Sequence, residues 1–143
     1  MSFGARVGET FLMPHPGGDR EHMWVVISEK GNEVVIVNFN SRKRWSDETV
    51  ILASEDHPYI NRSTVVTYAD ARRVSKEKLI ELFQQGEREL TGSAKLLSPH
   101  ADCSAKLLRK IKEGVNESEF TPLEIKEFCE IVEISNNANE GTK

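Results

Sequence analysis

Two histidines and one serine are the residues in this chain whose types and positions suggest catalysis. His22 opens a β-rich run, Ser41 follows another, and His57 stands in the segment Asp56-His57-Pro58-Tyr59. Metal-free cleavage of RNA needs one group that takes the proton from a 2′-hydroxyl and another that gives a proton to the departing 5′-oxygen. A histidine titrates near neutral pH and can fill either role. We therefore predict His22 and His57 as the proton-transfer pair, with Ser41 as the hydroxyl of the catalytic set.

Each histidine also has a structural interpretation. His57 precedes Pro58, and in a turn its ring would bond to local backbone while Asp56 braces it. The residues alone leave both interpretations open. Placement of the two imidazoles on one surface would favour catalysis, because one phosphodiester must reach both rings.

A cluster of basic residues suggests contacts with phosphate. The chain has 19 Lys and Arg against 23 Asp and Glu, a net charge of −4, which argues against a general coat protein for nucleic acid. Arg42-Lys43-Arg44 is nevertheless a concentrated basic segment, which reads either as a phosphate contact or as a solvated hairpin tip. Tyr68 would orient a phosphate-binding side chain or stack on a base. The predicted substrate-binding residues are Asn40, Arg42, Arg44, Tyr68 and Arg72, and Ser41 would help to hold the phosphate.

Several other chemistries have no counterpart in the sequence. It contains no glycine-rich nucleotide loop, no serine nucleophile elbow and no His-Glu-x-x-His segment. Cys103 and Cys129 fall at apolar positions of predicted helices and are expected to be buried, inert thiols. A zinc site would need two more ligands at suitable spacing. We therefore predict neither a metal nor a cofactor.

Short strands are the elements that must position these residues. Runs rich in β-branched and aromatic residues, separated by turn residues, predict strands over 9–13, 22–28, 33–39, 49–52 and 63–68, with a short sixth over 71–74. Gly31-Asn32 joins the second and third as a hairpin. So many short strands at close spacing predict a small antiparallel barrel of the SH3-like kind over residues 1–74.

The second half of the chain has helical periodicity. Ser75 caps a predicted helix that runs to Gln85 and stops at Gly86. Ser98-Pro99 predicts the start of a second helix ending at Gly114, and Thr121-Pro122 the start of a third. The expected fold is therefore mainly β with C-terminal α: a helical extension over 75–135 packs on the barrel, and 136–143 form a flexible tail.

The sequence also suggests a location. No apolar run approaches the roughly 20 residues that span a bilayer, and residues 1–20 lack the pattern of a signal peptide. Two cysteines late in the chain do not make a disulfide framework. We expect a cytoplasmic protein with no membrane partner.

Several short motifs resemble those of the PemK/MazF-like toxins, small barrel proteins that cut RNA in bacterial toxin–antitoxin systems. Gly8-Glu9-Thr10 is similar to the Gly-Asp-x that starts the family's first strand, and residues 22–28 stand in the place of its Arg-Pro-x-Val-Val-Leu-Ser strand. Asn40-Ser41 and Val50-Ile51-Leu52 are similar to later elements, so the resemblance covers about residues 8–74. The family's catalytic Arg-Pro is replaced here by His22-Met23.

Together these observations predict a toxin-like, metal-independent endoribonuclease of a toxin–antitoxin or phage-associated system. The expected partners are single-stranded RNA, an antitoxin protein and a second copy of the chain in a homodimer. The alternative is a non-catalytic SH3-like module that binds a protein partner or RNA. Its aromatic surface would come from Trp24, Trp45, Tyr59 and Tyr68.

Overall fold

Runs of β-branched and aromatic residues form the six strands of one antiparallel sheet. A computed structural model describes residues 3–14, 21–88 and 97–130. The strands are β1 (Thr10–Pro14), β2 (Glu21–Lys30), β3 (Glu33–Ser41), β4 (Ile51–Leu52), β5 (Thr64–Ser75) and β6 (Ser98–His100). Their order across the sheet is β4-β5-β3-β2-β1-β6. The sheet curls into a half-barrel, and the predicted fold class, mainly β with C-terminal helices, is confirmed.

Strands β2 and β3 form the predicted hairpin, which lies at the centre of the sheet. Its turn is tight, with Lys30 paired to Glu33 and Gly31 at φ +59°, a conformation that glycine adopts without steric cost. The pairing skips Ile27, so β2 carries a bulge that increases its local twist.

The predicted fifth and sixth strands are one strand, β5. Both of its ends pair with β3, but the partner of Ile36 is Arg72 while the partner of Asn38 is Thr67. The residues of β5 between Thr67 and Arg72 form a bulge. The sequence pattern is interrupted at this bulge, which is why two separate strands were predicted. The bulge changes the face on which the later side chains of β5 lie.

Ser98-Pro99 does not begin a helix, contrary to the prediction. These residues form the edge strand β6, in which Ser98 pairs with Leu12 and His100 with Thr10. Proline lacks an N–H group, and an edge strand tolerates that loss. The sheet therefore extends beyond the segment predicted as the barrel.

Three helices flank the sheet in the part of the chain that the structure describes. Helix α1 (Lys76–Arg88) begins after Ser75, as predicted, although it continues beyond Gly86. Helix α2 (Ala105–Glu117) is capped by Ser104 and runs through Gly114, which was the predicted end. Residues 123–130 form a third helix, α3.

The segment Thr121-Pro122-Leu123-Glu124 has the pattern of a capping box, but α3 begins differently. The buried Thr121 hydroxyl has no hydrogen-bond partner among the described residues. The Pro122 carbonyl instead accepts hydrogen bonds from the N–H groups of Ile125 and Lys126. The sequence also predicts a polar linker over 87–97; its residues 89–96, and the predicted tail over 136–143, lie outside the described residues.

The two faces of the sheet bury different helices. One face, which includes Val25 and Val37, packs against α2 and α3 through Ile111 and Phe128. The other face carries Trp24, Val26 and Ile36 and packs against Leu79 of α1. Among the described residues, no helix is long and apolar enough to cross a membrane.

Candidate functional site

A polar groove of about 940 Å³ opens near the ends of β2, β3 and β5. The described lining residues combine amides, hydroxyls and carboxylates with one imidazole, and several aromatic rings lie around the groove. The lining residues used below are Glu21, His22, Asn40, Ser41, Lys43, Trp45, Asp47, Tyr59, Asn61, Arg62, Thr67, Asp70 and Phe120.

The alternation of side chains along the strands explains why one end of this face is polar. His22 shares a face of β2 with Trp24 and Val26, because successive strand side chains point to opposite sides. On β3, Asn38 and Asn40 continue the face of Ile36 in the same way. Leu79 of α1 packs at the apolar end. The polar end is left as the floor of the groove.

A chain of hydrogen bonds organises this floor. The Asn38 amide nitrogen donates to Asp70 Oδ2 at 3.2 Å, and the Asn40 nitrogen donates to Asn38 Oδ1 at 3.1 Å. The Asn40 nitrogen also donates to Thr67 Oγ1 at 2.6 Å. Asn38 is fully buried, so these bonds satisfy polar atoms that have no access to water. The network fixes the orientation of the Asn40 amide at the surface.

Three of the predicted site residues meet in the groove. His22 lies near the start of β2 and is half-buried. Asn40 and Ser41 end β3 and are also half-buried. This arrangement places an imidazole, an amide and a hydroxyl at one open site.

Both ring nitrogens of His57 form hydrogen bonds with backbone groups. Only 3% of its surface is exposed, and it is not among the described residues that line the groove. Its Nε2 lies 2.5 Å from the Ala101 carbonyl oxygen, and its Nδ1 accepts the Tyr59 N–H at 3.1 Å. A carbonyl only accepts and an N–H only donates, so Nε2 is the donor and Nδ1 the acceptor in these two hydrogen bonds. The geometry matches the structural interpretation, because neither ring nitrogen is open to a substrate.

His100 lies beside His57 and was not selected from the sequence. The two ring centroids are 5.5 Å apart, and His100 Nδ1 accepts the Ala101 N–H at 2.9 Å. Burial, and to a lesser degree the neighbouring His57, lowers the pKa of His100. The pair could be predicted only by recognising Ser98–His100 as a strand. That strand depends on its pairing with β1, which is distant in the sequence.

Tyr68 belongs to the core, which corrects its predicted role in substrate binding. The side chain is fully buried, and its hydroxyl donates to the Ile111 carbonyl of α2 at 2.6 Å. Burial, with smaller contributions from Asp47 and Glu117, raises the pKa of Tyr68 far above its ordinary value. The ring is therefore inaccessible to a nucleic-acid base.

The predicted arginines lie outside the groove lining. Arg42 is exposed and pairs with Glu48 at 2.6 Å, and Arg44 is exposed. The Arg72 guanidinium lies 5.9 Å from the centre of the Trp24 ring. Within the groove the described cationic residues are Lys43 and Arg62.

Exposed aromatic rings are the second distinctive feature of the groove. The exposed fractions are 83% for Trp45, 52% for Phe120 and 39% for Tyr59. Phe120 follows α2 in the chain and was not predicted, because its place in the groove lining depends on how α2 packs. Its loop is held to the groove by Ser118, whose hydroxyl donates to Asp47 Oδ2 at 2.6 Å.

The two thiols are half-buried, and Cys103 precedes α2 instead of lying on its face. Burial and, secondarily, Asp102 raise the pKa of Cys103 to about 12. Among the described residues, no three His, Cys, Asp or Glu side chains are grouped so as to hold a metal ion.

No protein-family model and no curated protein sequence matches the chain.

Proposed function

We propose that this protein binds single-stranded RNA in the polar groove. The observation that carries the proposal is the presence of three exposed aromatic rings, Trp45, Tyr59 and Phe120, around one groove that also contains Lys43 and Arg62. Proteins that bind single strands stack bases on aromatic rings and follow the backbone with cations. A single strand has unstacked bases available for such contacts, whereas those of a duplex are paired.

The charges in the groove indicate that bases, more than phosphates, supply the affinity. Lys43 and Arg62 are offset by Glu21, Asp47 and Asp70. Asp47 is already engaged, because it accepts hydrogen bonds from Thr49 and Ser118. With two cations available, the logarithm of the affinity should fall with the logarithm of salt concentration with a slope of only about −1.4.

Fluorescence anisotropy with a labelled single-stranded RNA of mixed sequence tests the proposal. Stacking contributes about 1–3 kcal/mol per base, so Trp45→Ala and Phe120→Ala should each weaken binding by about tenfold or more. Leu123→Ala is the matched control, because Leu123 is 70% exposed but is not among the described lining residues. Absence of binding by the unaltered protein, or equal loss in the control, would refute the proposal.

The proposal extends to RNA cleavage, with His22 as the proton-transfer group. His22 is the imidazole among the described residues of the groove, and Ser41 lies in the same site. In this form the protein is a toxin-like endoribonuclease, as the resemblance to PemK/MazF-like toxins implies, and its partner would be an antitoxin. The neighbouring 2′-hydroxyl would give its proton to the His22 imidazole and attack the phosphorus, forming a 2′,3′-cyclic phosphate. The bond from phosphorus to the 5′-oxygen would break, and that oxygen would take a proton from water. DNA lacks the 2′-hydroxyl and would not be cut.

Cleavage is tested with an RNA substrate in the presence of a chelator. His22→Ala should lower the rate by at least about 10²-fold, the scale expected for loss of a proton-transfer group. The same variant should change RNA affinity by much less, since His22 is half-buried and contributes little stacking area. Tight binding without cleavage by the unaltered protein would limit the function to RNA binding.

A further inference from the structure

The hydrogen-bond network on the groove floor has only one consistent polarity. The Asp70 carboxylate accepts but does not donate, so Asn38 must present its nitrogen to Asp70, at 3.2 Å. The Asn38 oxygen is then the atom that faces Asn40. Asn40 must therefore present its own nitrogen to Asn38, at 3.1 Å.

This polarity leaves Asn40 with an outward acceptor. Its nitrogen carries two hydrogens, and the second is donated to Thr67 Oγ1 at 2.6 Å. Both hydrogens are thus used within the protein. Among the described residues, no donor reaches Asn40 Oδ1, and Asn40 is a half-buried residue of the groove lining. A ligand at this position meets a hydrogen-bond acceptor that cannot turn into a donor without breaking two bonds.

We infer that Asn40 makes the groove prefer bases that carry an exocyclic amino group over uracil. This inference rests on the proposed function of single-stranded RNA binding. Adenine, cytosine and guanine each carry an exocyclic amino group that can donate to Asn40 Oδ1. Uracil has carbonyl oxygens in place of such groups, and its one base donor, the ring N3–H, lies between two carbonyl oxygens that repel an acceptor. A uracil carbonyl facing Asn40 Oδ1 would leave two acceptors opposed and unpaired, and unpaired polar groups are costly.

The test compares three labelled RNA 10-mers of equal length: oligoadenylate, oligouridylate and an oligomer of purine riboside. Purine riboside keeps the two rings of adenosine but lacks its amino group, so stacking is retained while the proposed donor is removed. Oligoadenylate should bind about fivefold or more tightly than the other two, the effect of about one hydrogen bond.

Variants locate the preference at one side chain. Asn40→Ala removes the acceptor and should equalise the affinities for oligoadenylate and purine riboside. Thr67→Val removes the partner that holds the Asn40 nitrogen and should reduce the preference without changing a group that contacts the base. Asn61→Ala is the matched control: Asn61 is an exposed amide of the same groove outside the network, and its removal should keep the full preference.

The outcomes separate this inference from the function on which it rests. Failure of all three oligomers to bind would overturn the proposed function and the inference together. Equal binding of oligoadenylate and purine riboside by the unaltered protein would overturn only the inference, as would a preference that survives in Asn40→Ala. Because Asn40→Ala also removes two hydrogen bonds, the comparison of oligomers on the unaltered protein stands whether or not that variant folds.

Discussion

Gly114 lies where helix α2 passes over the Tyr68 ring. A Cβ atom at this position would stand 2.0 Å from the Tyr68 hydroxyl oxygen and 2.7 Å from Val50 Cγ2. The same close approach lets the Tyr68 hydroxyl donate to Ile111, one helical turn earlier. The glycine is therefore required by packing, in the middle of a helix where glycine normally weakens the structure.

Gly114→Ala should lower the free energy of unfolding by about 3 kcal/mol, because the added methyl group has no space. Urea unfolding followed by circular dichroism measures the change. Tyr68→Phe in the same background removes the nearest atom and should recover part of the loss. Helix propensity alone predicts a gain for glycine to alanine, so a stabilised variant would contradict the close approach.

The two histidines predicted as the proton-transfer pair, His22 and His57, should differ in how much stability is lost when each is removed. His57→Ala removes two hydrogen bonds to backbone and a buried ring, and should lower the free energy of unfolding by about 2–4 kcal/mol. His22→Ala, at a half-buried position in the groove, should change it by less than about 1 kcal/mol. Thermal and urea unfolding of both variants provide the comparison. Equal stabilities would argue against the backbone contacts of His57.

His22, Asn40 and Ser41 were predicted from their residue types at strand ends, and all three line one groove. Their partners were harder to predict. The contact of His57 with Ala101 spans 44 residues, and that of Tyr68 with Ile111 spans 43. Neither contact leaves a local signal, so a buried residue and an exposed one of the same type cannot be told apart from the sequence.

At the scale of elements, local signals predicted the central hairpin and the start of α1. Two apolar runs on either side of the Gly31 turn specify β2 and β3, and no information from the rest of the chain is needed. The strand β6 differs, because Ser98-Pro99 is also a good helix start and only its pairing with β1 decides between the two. Tertiary context therefore overrode a sound local preference there.

Helix α3 should contribute to stability through Phe128. This ring is 5% exposed in the core, and the Arg73 guanidinium lies 5.0 Å from its centre. Phe128→Ala should lower the free energy of unfolding by about 3–5 kcal/mol. Leu123→Ala, on the same helix but 70% exposed, should stay within about 0.5 kcal/mol and serves as the control in urea unfolding. A similarly small effect at Phe128 would show that the helix face is not buried.

The stability of the whole molecule should decrease in mildly acidic solution. Burial lowers the folded pKa of His100 below its ordinary value of 6.5. The His100 imidazole therefore binds a proton more readily in the unfolded chain than in the folded protein. The stability that the neutral His100 contributes is fully present above about pH 6.5, and it is lost as pH falls from there through the folded pKa. Urea unfolding from pH 7.5 to 5.5 measures the decline. The His100→Gln variant has no titrating group at this position, so its free energy of unfolding should vary less with pH. An unchanged dependence on pH would show that other groups cause the decline.

The pairing of β1 with β6 has a consequence for the order of events during synthesis. The Thr10 hydroxyl donates to the Ala101 carbonyl, a contact between residues 91 positions apart. A ribosome would therefore complete the central hairpin and α1 well before the last strand is available. Until then the outer edge of β1 has no β6 to pair with, and such edges recruit other chains. Long-range pairing of this kind also slows folding. The nascent chain should be most prone to aggregate after the hairpin has emerged and before His100 has reached Thr10.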